Sequence, residues 1–166
     1  MAENRQRQKI SLIFFRTGSG SEPVRDWLKE LPEQERHAIG QDLMRAQWRW
    51  PVGMPLCRPM GNGLWEIRTD LPTKRTARLL ICLCREHLVA LHGFIKKTRS
   101  NAGCGNSLGA KAQEGVGTMS KKNLGSSVDD FLKGEGIFEE AQAHAVKEVV
   151  AWQLASVIVF CWCSSA

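Results

Sequence analysis

None of the six cysteines (Cys57, Cys82, Cys84, Cys104, Cys161 and Cys163) stands in the C-x-x-C spacing of a zinc site. The two C-x-C pairs would place both thiols on one face of a strand, where cysteine serves as a small apolar residue. No metal site and no cofactor is therefore expected. No apolar stretch reaches the roughly 18 residues that suggest a membrane span. The nearest approach, Val149 to Cys163, is interrupted by Gln153 and Ser156. The run Leu12 to Phe15 is too short for a signal peptide. These absences point to a reducing, cytoplasmic setting without a membrane partner. No internal repeat is visible.

Arginine is missing from the second part of the chain: all 13 lie before residue 100. Residues 1–99 hold 18 Lys and Arg against 10 Asp and Glu, a net +8, whereas residues 100–166 hold 5 against 7, a net −2. The first part is thus a compact basic unit of the kind that meets nucleic acid or the ribosome. Its boundaries follow from composition. Residues 1–99 form one domain, 100–118 a linker rich in Gly, Ala, Ser and Asn, and 119–166 a helical segment with an apolar tail.

Local patterns set out the elements. Lys9–Arg16 reads as a strand, closed by Gly18 to Ser21. Pro23 suits a first helical turn, and Val24, Trp27, Leu28 and Leu31 repeat at helical spacing. A second helix spans Glu33 to Trp48, burying Ile39, Leu43, Met44, Gln47 and Trp48 and turning Arg36, Arg45 and Arg49 outward. Trp50 to Pro59 reads as a loop. Three strands follow, at Leu64–Thr69, Thr76–Arg85 and His87–Ile95. The expected fold is α+β: a small twisted antiparallel sheet packed by two N-terminal helices, in the order β-α-α-β-β-β. In the last segment Ser126 and Ser127 precede a short helix ending at Gly134 or Gly136. A longer helix then carries the stripe Ala141, Ala145, Val149 and Trp152 from Phe138 to about Leu154.

Chemistry concentrates between Leu64 and Thr98. RNA cleavage without a metal needs a proton acceptor, a proton donor and cations facing the phosphate. His92 suits proton transfer, since its pKa lies near working pH. Alternation puts His92, Phe94 and Lys96 on one strand face, and Gly93 beside His92 suggests a turn or a close backbone approach. Arg68, on a strand face with Glu66, and Arg78, opening an apolar strand, can each present a planar fork to phosphate. A salt bridge to Glu66 and an edge charge that discourages aggregation are the competing structural roles. Lys74, Arg75 and Lys97 extend the basic surface. Arg49 and Trp50, with Trp48, offer a stacking platform for bases, while Trp65 points away from Arg68 towards the core. His37, His87 and His144 have no such neighbours in the pattern.

Phe14-Phe15-Arg16-Thr17, Val24-Arg25-Asp26-Trp27-Leu28, Leu64-Trp65-Glu66-Ile67-Arg68 and His92-Gly93-Phe94-Ile95-Lys96-Lys97-Thr98 together resemble the phage-derived RelE/HigB-like toxins over residues 9–99. The resemblance implies a RelE-like fold and a ribosome-dependent mRNA endonuclease that inhibits translation. Its RNA-contacting positions would fall on Arg68, Arg78, His92, Lys96 and Lys97, and its partners would be mRNA, the ribosome and a HigA-like antitoxin. Residues 119–154 in turn resemble the start of such an antitoxin, through Ser-Ser-Val-Asp-Asp-Phe-Leu-Lys and Val-Lys-Glu-Val-Val-Ala-Trp-Gln-Leu, without the DNA-reading domain that normally follows. The Gly-rich stretch Ser100–Thr118 stands where the toxins carry a charged helix. The alternative to an active toxin is therefore an inactive or self-masked fusion produced by frameshift, with Asp129, Asp130, Glu135, Glu139 and Glu140 facing the basic surface.

Overall fold

A computed structural model describes residues 9–96 and 121–163, with side chains through residue 155. Lys97 and the 100–118 linker lie outside the described residues. The first strand, β1 (Leu12–Phe15), leads into α1 (Pro23–Glu30) and α2 (Glu33–Trp48), after which β2 (Cys57–Gly61), β3 (Leu64–Asp70), β4 (Thr76–Cys84) and β5 (His87–Lys96) follow. The C-terminal part contributes a 3-10 turn (Lys121–Asn123), β6 (Leu124–Ser127), α3 (Val128–Gly134) and α4 (Phe138–Cys163). The protein is α+β, with one six-stranded sheet in the order β2-β3-β4-β5-β1-β6.

The expected antiparallel sheet is in fact mixed. Strand β1 enters beside β5 in parallel, Leu12 opposite Leu88 and Phe14 opposite Ala90. The two helices between β1 and β2 allow the chain to cross before it returns, and a parallel pair requires such a connection. Two strands have no counterpart in the expected order. Strand β2 lies within and beyond the segment read as a loop. It tolerates Pro59 because it is a sheet edge, exposed after Cys57. Strand β6 pairs antiparallel with β1 at the opposite edge.

Helices α1 and α2 cover one face of the sheet. Leu12, Phe14, Leu28, Ile39, Leu43, Met44, Ile67, Leu79, Ile81 and Leu88 fill the core between them. Burial of such side chains contributes about 1.5–3 kcal/mol each. Gly93 is neither a turn nor a strand end. A Cβ there would stand 2.5 Å from Trp27 Cε3 and Cζ3, so the glycine lets α1 lie directly on β5.

The C-terminal part closes the same core from the far side of α2. Phe131 meets Phe14 edge-on at 5.7 Å, and Leu132, Ala141 and Ala145 are fully enclosed. Ser127 caps α3 as its sequence suggests, its hydroxyl accepting from the Asp129 N–H at 3.1 Å. Gly136, at φ 73°, ends the turn. Helix α4 continues past the expected Leu154 to Cys163. Buried Gln47 ties the layers together: its Oε1 accepts the Leu12 N–H at 3.0 Å and its Nε2 donates to Asp129 at 3.1 Å. Among the described residues no helix is long and apolar enough to cross a membrane.

Candidate nucleic-acid site

Cross-strand register places the candidate residues. Arg68 on β3 is directly opposite Arg78 on β4, which is opposite Phe94 on β5. One step along, Glu66, Leu80 and His92 form a second row, and on the other side Asp70, Thr76 and Lys96 form a third. Directly opposed residues share a face. Arg68, Arg78, His92 and Lys96 therefore all project from the sheet face turned away from α1, because Gly93, between His92 and Phe94, presents the opposite face to Trp27.

A one-residue irregularity makes this possible. Leu80 pairs with His92 but the next residue, Ile81, pairs with Ala90, leaving Leu91 unmatched. Without this bulge, alternation from the buried Leu88 and Ala90 would carry His92, Phe94 and Lys96 into the core face. Bulges re-aim side chains in this manner beside functional sites.

Two guanidinium groups in adjacent strands would repel one another without an anion between them. Glu66, only 2% exposed, supplies it. Its Oε2 accepts from Arg68 Nε and Nη2 at 3.1 and 3.0 Å, and its Oε1 accepts from Arg78 Nη1 at 2.7 Å. One carboxylate thus orients two arginines, each about a quarter exposed. Arg78 Nε is buried without a hydrogen-bond partner. Glu66 was legible only as a local partner of Arg68. Its reach to Arg78 depends on the β3–β4 pairing.

His92 is half-buried and its ring stacks on Phe94, centroids 5.9 Å apart and planes 28° off parallel. Burial lowers its pKa from the ordinary histidine value, favouring the neutral imidazole. Lys96 is exposed at the end of β5. Lys74 is exposed in the β3–β4 turn at φ 58°. Arg75 turns the other way: it pairs with Glu35, a residue 1% exposed at the start of α2, and with Thr73. The fold thus uses Arg75 to neutralise a buried carboxylate and does not bring it to Arg68 and Arg78.

Beside the arginine row, where β2 has ceased to pair with β3, a cleft of about 640 Å³ opens between α2 and the 52–56 loop. Arg68 and Arg78 reach it from the sheet, Asp42 and Arg45 from α2, and Arg49 from just beyond α2. Asp42 accepts from Arg45 Nη1 at 2.8 Å and is also bonded by Thr69. Burial outweighs these partners and holds its pKa above the usual aspartate value. Trp50 does not line the cleft. It meets Trp65 edge-on at 5.1 Å and, half-buried, packs against the core. Arg49 lies over Trp152 of α4 at 5.1 Å.

Residues 26–103 match the family described as Phage derived protein Gp49-like (DUF891). The Gp49-like match begins inside α1 and contains every candidate residue from Arg49 to Lys97. It ends at residue 103, and no HigA-like segment is matched after it. No curated protein and no solved structure matches the chain.

Four acidic residues of the C-terminal part meet α2 and the chain before β1, not the arginine row, while Asp130 pairs with Lys133 inside α3. Asp129 pairs with Lys9, Glu135 with Arg36, Glu140 with His37 and Glu148 with Arg45. Arg36 and Arg45, expected to face outward, are thus the charged seam between α2 and the segment after residue 120. Of the pair expected in the core, Cys82 is buried and Cys84 only partly so, while Cys57, in the segment read as a loop, is buried as well. Desolvation pushes the Cys57 and Cys82 thiols up to about 11. Among the described residues no group of His, Cys, Asp or Glu is arranged to hold a metal ion.

Proposed function

We propose that the protein is the toxin of a type II toxin–antitoxin system, a metal-independent mRNA endonuclease that works on the ribosome and inhibits translation. The observation that carries this reading is the Arg68–Arg78 pair, oriented by one carboxylate and flanked on the same sheet face by His92 and Lys96. The Gp49-like match supports it, since that family is one of RelE-like toxins.

The geometry suits transesterification. His92 and Lys96 stand two residues to either side of Phe94, the partner of Arg78, or roughly 7 Å each way along the strand. A phosphate held by Arg68 and Arg78 would have a base on one side and an acid on the other, as in-line displacement requires. Neutral His92 takes the 2′-OH proton, and the 2′ oxygen bonds to phosphorus. The bond to the 5′ oxygen breaks, and Lys96 protonates the leaving oxygen, giving a 2′,3′-cyclic phosphate and a 5′-OH. The arginines stabilise the charge that develops on the phosphate. Lys74 extends the RNA path from the β3–β4 turn, and the sequence pattern adds Lys97 to it. The enzyme acts in the cytoplasm, and a HigA-like antitoxin is the partner that restrains it.

The test is induction of the full chain in a bacterial host, with growth and mRNA integrity followed together. Growth arrest with cut messages is expected, and Arg78→Ala should abolish both. Unchanged growth despite soluble, folded protein would overturn the reading.

A second reading is favoured by Glu148 and Trp152, which engage Arg45 and Arg49 at the cleft. In it, the segment after residue 120 restrains the site in cis, and the chain is a self-masked fusion acting at most as an RNA- or ribosome-binding module. Trp152→Ala in the full chain then raises toxicity; an unchanged growth curve removes this reading.

A further inference from the structure

The cleft beside the arginine row has two unlike walls. One is cationic: Arg68 and Arg78, with Arg49 at the rim. Glu66 occupies the inner donors of both strand arginines, leaving Arg68 Nη1 and Arg78 Nη2 outside the Glu66 hydrogen bonds. Arg49 makes no ion pair with a carboxylate among the described residues, and its contact is the Trp152 ring. The other wall is apolar, formed by Met54 and Pro55 in the 52–56 loop. Met54 is 61% exposed in that loop, so its side chain is open to a ligand. Asp42, an acceptor already fixed by Arg45 and Thr69, also lines the cleft.

A free phosphate would use the first wall and leave the second idle. An apolar ligand would do the reverse and leave the arginine donors unmatched. A ligand that satisfies both carries an anion and a flat apolar ring a few ångströms apart. We propose that this cleft seats one nucleotide of a single-stranded nucleic acid, its phosphate on the arginine wall and its base against Met54 and Pro55. Methionine sulfur is polarisable and makes favourable contacts with aromatic rings. The space of about 640 Å³ is of the order of small-molecule sites and far more than a phosphate needs. A base in a duplex is stacked on its neighbours and cannot enter such a cleft. Asp42 can accept from an exocyclic amino group at the base edge. The inference rests on the nuclease reading for its substrate class and extends it by naming the base-binding wall.

Binding is tested on the full chain through tryptophan fluorescence, with inorganic phosphate, a nucleoside monophosphate, a single-stranded pentanucleotide and the same sequence as a duplex. The monophosphate should bind at least about tenfold tighter than phosphate, a modest return for one base contact. The pentanucleotide should outcompete the duplex. Met54→Ser changes an exposed side chain, so its melting curve should match the parent. It should remove most of the monophosphate's advantage while phosphate affinity stays constant. Equal binding of phosphate and monophosphate, or an undiminished advantage in Met54→Ser, overturns the inference. If RNA is still cleaved in that case, the nuclease reading survives alone. If the monophosphate binds as expected but no RNA is cut, the cleft survives and the nuclease reading falls.

Discussion

Arg68 and Arg78 face each other across two neighbouring strands and are held by the two oxygens of a single buried carboxylate. Glu66→Gln keeps the size of that group but removes its charge, so two like charges remain side by side. The substitution should cost about 1–3 kcal/mol, the usual penalty when a buried charged hydrogen bond is lost. Urea unfolding measures this directly. RNA cleavage should fall further than stability does, because the guanidinium groups lose their orientation. A variant that keeps full cleavage would show that the arginines need no anchor.

His92 provides a pH signature. Burial lowers its folded pKa, so the unfolded chain takes up the proton first as the solution is acidified. Stability from this site is therefore intact above about pH 6.5, the unfolded value. It declines as pH falls below that and levels off beneath the folded pKa. Cleavage, which needs the neutral ring, should decline on the acid side of the same window. His92→Gln should lose cleavage and flatten this part of the stability profile. An identical profile in the variant would assign the titration to another group.

Gly93 tests how the helix layer supports the site. In Gly93→Ala the new methyl would meet the Trp27 ring at 2.5 Å, and overpacking of this kind costs about 1–3 kcal/mol. Thermal denaturation should show the loss, and Trp27→Leu in the same chain should recover part of it by making room. If the double variant melts no higher than Gly93→Ala, the strain lies elsewhere.

Thiol labelling separates the described cysteines. Cys57 and Cys82, buried with pKa values near 11, should resist iodoacetamide at neutral pH, since the thiolate is the reactive form. Cys84, which is only partly buried, should label first. Peptide mass mapping gives the order, and rapid labelling of Cys82 in folded protein would contradict the sheet register.

Helices α1 and α2 were readable because each is specified by neighbours three or four residues apart. The predicted span of α2, Glu33–Trp48, is the observed one. The strands carrying Arg68, Arg78 and His92 were readable for a similar reason, their apolar runs being bounded by turns. The Asn62-Gly63 pair, with both residues at positive φ, was an available hairpin signal for β2 that Pro59 and the surrounding loop residues obscured.

The amino-acid sequence by itself determined the basic first part, the cation-bearing strands and the amphipathic helices, since composition and local period suffice for these. Only the tertiary structure decided what those residues meet. The bulge at Leu91 turned His92 outward, because register is set by a partner strand and not by the strand itself. Strand pairing brought Glu66 to Arg78, and Glu35 drew Arg75 away because a buried carboxylate requires a counter-charge. Asp129, Glu135, Glu140 and Glu148 met α2 and Lys9 instead of the arginine row. Charge permits many pairings, and the packing of Phe131, Leu132 and Ala145 into the core selected this one.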